Sequence, residues 1–341
     1  MSISNSAAQP HGALSSAASR RGFLLVVLAA LCWGTSGVSG KIVADRTDLG
    51  PLDIAWHRMA IGAVVLLLGY LLTRGRRRAT APVPLTRGTV VRLVLVGTGL
   101  AAYQLAYFAA VATAGVSIAT LVALGLAPLL IALGAALLGH GRPDRATVVA
   151  LVTALVGLVL LVGVSAGVDT GTTVVLGALM AVGSALGYAV VTLAGAGVPV
   201  GVPVTLVGFA GGALLLTPVA LAVGLHSTAE PVALAVLIYL GVVPSALAYA
   251  MFFTGIKTVP GAVASIVTLL EPLTATVLAT AFLGERLAPA ALAGGLLVLA
   301  AVAGLYVRRL RASADSASRA EPWTAAVDRS GNASIAPRTE A

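Results

Sequence analysis

Charged residues are scarce in this chain. Asp, Glu, Lys and Arg make up 10% of its 341 residues, where a soluble domain carries about a quarter. That scarcity excludes an ordinary water-facing fold. Acids are scarcer than bases, 12 against 21, for a net charge of +9. The one cysteine, Cys32, excludes an internal disulfide and a cysteine-based metal site. The four histidines, His11, His57, His140 and His226, stand at unrelated places. The sequence has no glycine-rich phosphate loop with its lysine, no His-Glu-x-x-His pair and no Cys/His cluster. Nucleotide hydrolysis and metal chemistry therefore have no support. No cofactor is expected, and the chain is read as a non-enzyme.

What is present is apolar sequence: 59% of residues are hydrophobic, and mean hydropathy is +1.03. A spanning helix needs about 20 apolar residues. Ten such blocks can be drawn, at 22–42, 54–73, 90–112, 116–138, 147–164, 174–195, 203–224, 232–255, 261–283 and 289–307. The expected fold is an all-α membrane protein of ten transmembrane helices. The flanks, 1–21 and 309–341, are polar and Ser/Ala-rich. They cannot bury enough apolar surface to fold alone, and disordered tails are expected there. Arg20 and Arg21 precede a long block that leads into further spans, so a retained first helix is read in place of a cleaved signal.

Basic residues gather on the cytoplasmic side of membrane proteins. With ten spans and a cytoplasmic N-terminus, inside segments hold 17 of the 21 Lys and Arg residues. The outside segments hold Lys41, Arg46, Arg58 and Arg286. Both termini are therefore expected in the cytoplasm. The positive charge is explained by membrane orientation, and no nucleic-acid partner is expected. The lipid bilayer and a small-molecule substrate are the expected partners, with proton coupling as a further expectation. Oligomeric state is left open.

Residues 103–162 are echoed at 249–307. Tyr103 and Tyr107 match Tyr249 and Phe253, Gly115 matches Gly261, Pro128 matches Pro272, and Leu138-Gly139 matches Leu283-Gly284. Five spans per half is an odd number, so the second half enters from the opposite face. The expected repeats, 22–164 and 173–308, are therefore inverted. That build gives alternating access to one central site.

Charge inside a span costs roughly 2.5–3.5 kcal/mol on the insertion scale, so such groups face the bundle interior or a watery path. Glu271, beside Pro272 in the ninth block, is the one carboxylate expected deep in the membrane. It reads as a proton- or cation-coupling group, or as a structural partner of the proline-broken helix. Arg58, with His57 at the start of the second block, is expected to snorkel at the outer interface. A cavity-facing position is its alternative, as part of a polar switch with His57 and Glu271. Trp33, Thr35 and Ser36 interrupt the first block among Gly34, Gly37 and Gly40. Close helix packing and a substrate-lining role are both open there. The pairs Tyr103/Tyr107 and Tyr249/Phe253 are spaced i, i+4, so each pair shares one helix face. They are expected to line the site, with Gln104 and Tyr188 adding hydrogen-bonding groups; core packing is the alternative.

These residues resemble the EamA type of the drug/metabolite transporter superfamily. The resemblance rests on Leu31-Cys32-Trp33-Gly34-Thr35-Ser36, on Trp56-His57-Arg58-Met59-Ala60, and most specifically on Leu269-Leu270-Glu271-Pro272 through Leu283-Gly284-Glu285-Arg286-Leu287. It covers about 22–308. The first copy departs from it, with Ala127 before Pro128 and His140 after Leu138-Gly139. The resemblance implies two tandem five-helix repeats and export of amino acids, other small metabolites or toxic compounds. A plasma-membrane secondary transporter working by efflux is the reading taken. An importer or facilitator, or a non-transporting membrane partner or intramembrane enzyme, are the alternatives.

Overall fold

The computed structural model describes residues 11–74, 86–139, 171–199, 201–256 and 270–286, with scattered positions at 145–160, 258–259, 267–268 and 288–307. The described residues are helical, with no strand among them. Seven helical stretches are long and apolar enough to cross a membrane, and two shorter apolar ones, Leu270–Leu283 and Leu292–Ala301, follow. The fifth expected span, at 147–164, lies mostly outside the described residues, as do 261–266 of the ninth.

The first span is two helices, α1 (His11–Gly34) and α2 (Ser36–Arg46), separated by a turn at Thr35. Helix α1 reaches back to His11, so residues 11–21, expected in a disordered tail, continue the first helix. Pro10 precedes that start, and the stretch is rich in alanine, the best helix former. A short polar extension can propagate from an apolar helix that is already nucleated. Residues 1–10 and 309–341 lie outside the description.

Helices α3 (Pro51–Arg74), α4 (Arg87–Ala114) and α5 (Val116–Leu137) follow. One residue, Gly115, separates α4 from α5, with φ +83°. That left-handed conformation favours glycine. Helices α6 (Gly171–Ala196) and α7 (Val204–Val223) come next. The following span is α8 (Pro231–Gly241), a π-helical turn (Val242–Leu247) and α9 (Ala248–Gly255). Helix α10 (Leu270–Leu283) ends at Gly284, whose φ is +66°. Gly139, its counterpart in the first copy, has φ +82°.

Helix α4 packs along α6 and α7, α3 along α7 and α8, and α1 along α9 and α10. The main core runs from Val38 and Met59 to Phe108, Leu126, Phe209, Leu240 and Ala275, and a smaller cluster joins Val26 of α1 to Val259 and Val267. The outward faces stay apolar: Leu72, Leu137, Leu214, Val223 and Phe282 are each more than 70% exposed. Hydrocarbon outside such a bundle gives apolar surface no reason to hide, which is the pattern of a protein bathed in lipid.

Candidate functional site

Several polar intramembrane residues meet around a cavity of about 230 Å³. Trp33 and Ser36 enter it from either side of the Thr35 break, Arg58 from α3, Tyr103 and Tyr107 from α4, Tyr188 from α6, Tyr249 from α9 and Glu271 from α10. The aromatic walls are in contact with one another. Trp33 meets Tyr249 edge-on at 5.1 Å, and Tyr103 lies 5.5 Å from Tyr188 and 6.4 Å from Tyr107 between ring centres.

Two equivalent prolines, Pro128 and Pro272, line this same cavity. Proline cannot donate its helical hydrogen bond. Pro128 leaves the Leu124 carbonyl without its usual donor, and Leu124 is also on the wall. At Pro272 the turn tightens, and the Glu271 amide donates to the Thr268 carbonyl at 3.0 Å. Helix α10 begins at Leu270, so Glu271 sits in a first helical turn, not in mid-helix as the apolar pattern suggests. Its repeat equivalent, Ala127, is on the wall too. The two copies thus supply one acidic and one neutral position.

Arg58 corrects the snorkelling expectation. It is 3% exposed and lies on the cavity, not at the interface. Its Nε donates to Ser245 Oγ at 3.1 Å, and its guanidinium sits 5.8 Å from the centre of the Phe108 ring. Ser245 belongs to the π-helical turn and donates to the Leu240 carbonyl at 2.8 Å. Hydrogen bonding and a cation–π contact thus hold Arg58 inside. Glu271 shares the cavity with it, but among the described residues no ion pair joins them.

Four expected residues fall elsewhere. Thr35 donates to the Cys32 carbonyl at 2.7 Å, and its hydroxyl lies 2.9 Å from that of Tyr239, which ties the helix break to α8. Its side chain closes the turn instead of facing the cavity. Gln104 is 1% exposed and buried in the packing of α4, with no partner for Oε1. His57 turns away, Nδ1 being 2.8 Å from the Asp53 carbonyl. Phe253 is 47% exposed and lines a separate apolar groove of about 850 Å³ between α3, α7 and α9. At about 100° per residue, Phe252 at i+3 and Phe253 at i+4 fall on opposite sides of Tyr249. Phe252 is the one that turns inward, 5.2 Å from Trp33. Its place beside Phe253 was the only sequence signal for it.

The glycines of the first span serve close packing. An added Cβ at Gly34 would lie 2.6 Å from that of Thr274, one at Gly37 would lie 2.6 Å from the Tyr107 hydroxyl, and one at Gly40 would strike the Phe108 ring. The packing and lining readings of this segment therefore coexist, with Trp33 and Ser36 facing the space between the glycine contacts.

Two further acids are structural. Asp53 is 6% exposed and accepts from the Gly50 amide at 3.0 Å and the His226 amide at 3.1 Å. Glu285 accepts from the amides of Val116 at 2.6 Å and Ser117 at 3.0 Å. It therefore caps α5 from the far end of the chain.

The EamA-like transporter family profile matches residues 20–163 and again 172–307. The uncharacterized transporter YwfM of Bacillus subtilis (strain 168) is 31% identical over 82% of this chain and 93% of its own. The uncharacterized inner membrane transporter YicL of Salmonella typhimurium is 25% identical over 83% of this chain and 94% of its own. A solved crystal structure superposes with a TM-score of 0.58 at 26% identity, covering 86% of this chain and 99% of that one. With a polar cavity inside an apolar helical bundle and the family profile matched across both halves, the chain belongs to the EamA-like transporter family and is a multi-pass membrane transporter.

Proposed function

We propose that this protein is a plasma-membrane secondary transporter that exports a small, amino acid-like metabolite by alternating access. Its ten helices would form two inverted five-helix repeats, 22–164 and 173–308, with both termini in the cytoplasm. The observation that carries the reading is the shared cavity. Tyr103, Tyr107 and Pro128 from the first half meet Tyr249, Glu271 and Pro272 from the second around one space. A site built at the junction of two repeats is what a rocking mechanism needs. At about 230 Å³ the cavity falls below the roughly 300–1,000 Å³ of pockets for drug-sized ligands, which favours a metabolite over a bulky drug.

Glu271 is the proton-coupling group in this scheme, since it is the one acid on the cavity wall among the described residues. His57, held by the Asp53 carbonyl, is the weaker choice. Arg58 and the aromatic walls hold the cargo.

The test is a growth-tolerance screen followed by flux in proteoliposomes. Cells lacking or overproducing the protein are challenged with amino acids, nucleosides and cationic drugs, with and without a protonophore. Export predicts that overproduction raises tolerance to at least one small metabolite and that the protonophore abolishes the gain. Purified protein alone should then move that compound. Absence of flux for every compound scored in the screen would reject transport by this chain.

A further inference from the structure

Several donors on the central cavity lack a hydrogen-bond partner among the described residues. Arg58 has its Nε engaged by Ser245 and its face set toward Phe108. Its two terminal amino groups have no hydrogen bond or ion pair among the described residues. Trp33 Nε1 and Ser36 Oγ are buried without a partner. All three residues line the same cavity.

A buried N–H with no acceptor is costly, and Glu271, on the same cavity, makes no ion pair with Arg58 among the described residues. The Arg58 side chain is nonetheless fixed in place, with the edge of its fork free. That edge matches two oxygens of one planar carboxylate. Five aromatic side chains, Tyr103, Tyr107, Tyr188, Tyr249 and Phe252, stand on the rest of the wall.

We propose that the cargo is a small organic carboxylate with an apolar or aromatic body, its carboxylate seated on the free edge of Arg58 and completed by Trp33 Nε1 and Ser36 Oγ. This rests on the transport reading of the same cavity and narrows it: the negative group is the recognised feature, and an amine is not required. Glu271, on the same wall, is left to the coupling role.

Titration calorimetry on purified protein in lipid nanodiscs tests this with three isosteres: 3-phenylpropionate, phenethylamine and 3-phenylpropanamide. The carboxylate should bind at least roughly tenfold more tightly than the other two, as charge-assisted pairing requires. Arg58→Gln should remove that preference, and Arg58→Lys, which keeps the charge but not the fork, should restore little of it. Trp33→Phe keeps a ring and removes one donor, so it should weaken carboxylate binding alone. It also serves as the test if Arg58→Gln does not fold. Equal or tighter binding of the amine, binding of none of the three, or unchanged preference in Trp33→Phe and Arg58→Lys would overturn the proposal. Flux of some other cargo without carboxylate binding would sink this assignment and leave the transporter reading standing. Carboxylate binding with no flux of any compound would do the reverse.

Discussion

Glu271 and Ala127 occupy equivalent places on the cavity wall, so any proton carried there is carried by one copy alone. Glu271→Gln should abolish flux driven by a pH gradient while sparing substrate exchange between equal concentrations, which needs no net proton movement. Flux unchanged at every pH would reject the coupling role. Tyr249 and Phe253 make a second comparison, because one faces the cavity and the other chiefly the outer groove. Tyr249→Ala should weaken apparent substrate affinity several-fold more than Phe253→Ala, read from the concentration dependence of flux. At this scale the sequence was informative where a residue's depth in a span implied its surroundings, as for Trp33, Tyr103 and Glu271. It failed at Arg58 because a charged side chain near the start of a span looks interfacial. The groups that hold it inside, Ser245 and Phe108, come from other helices, and Ser245 is 187 residues away.

Helix ends and breaks carry the next set of consequences. Helix α5 starts after a single glycine, and its first amides are satisfied by Glu285. Loss of a capping side chain costs about 0.5–2 kcal/mol. Glu285→Ala should therefore lower the thermal unfolding midpoint in detergent, and Glu285→Gln, which keeps one acceptor oxygen, should lower it less. Gly115→Ala faces both the positive φ and a Cβ only 2.8 Å from Glu285 Oε1. It should destabilise by at least about 1 kcal/mol, measurable by the same melt. Most long helices were legible as apolar runs: the 116–138 block is α5, Val116–Leu137. The interruptions were not. The π-helical turn Val242–Leu247 reads as unbroken apolar sequence apart from Pro244 and Ser245. Ser245 within it meets Arg58, 187 residues away, a contact that no local pattern encodes.

Across the whole molecule, the cavity reaches Ile131 late in α5 and Thr192 late in α6. In the proposed orientation both lie toward the cytoplasm. Cys32 is the only cysteine, so a Cys32→Ala background makes site-directed labelling clean. Thr192→Cys in that background should react with a membrane-impermeant thiol reagent in inside-out vesicles, and bound cargo should slow the reaction. Labelling confined to right-side-out cells would reverse the orientation. The echo between the halves was visible in sequence because it lies in spacing, which composition does not blur. That both prolines would meet at one cavity was not, since their separation in sequence says nothing of how α5 and α10 pack.

The bond from Glu285 to the start of α5 joins groups 168 and 169 residues apart in the chain. During synthesis, α5 enters the bilayer long before residue 285 leaves the ribosome. For that interval the Val116 and Ser117 amides have no carboxylate to meet, and water or lipid headgroups must stand in for it. The first half is thus born incomplete, and its last stabilising contact arrives with the end of the second. Residues 1–170 made alone should be degraded quickly, and separate co-expression of 171–341 should extend their lifetime in a pulse-chase. A Glu285→Ala partner should rescue them less well.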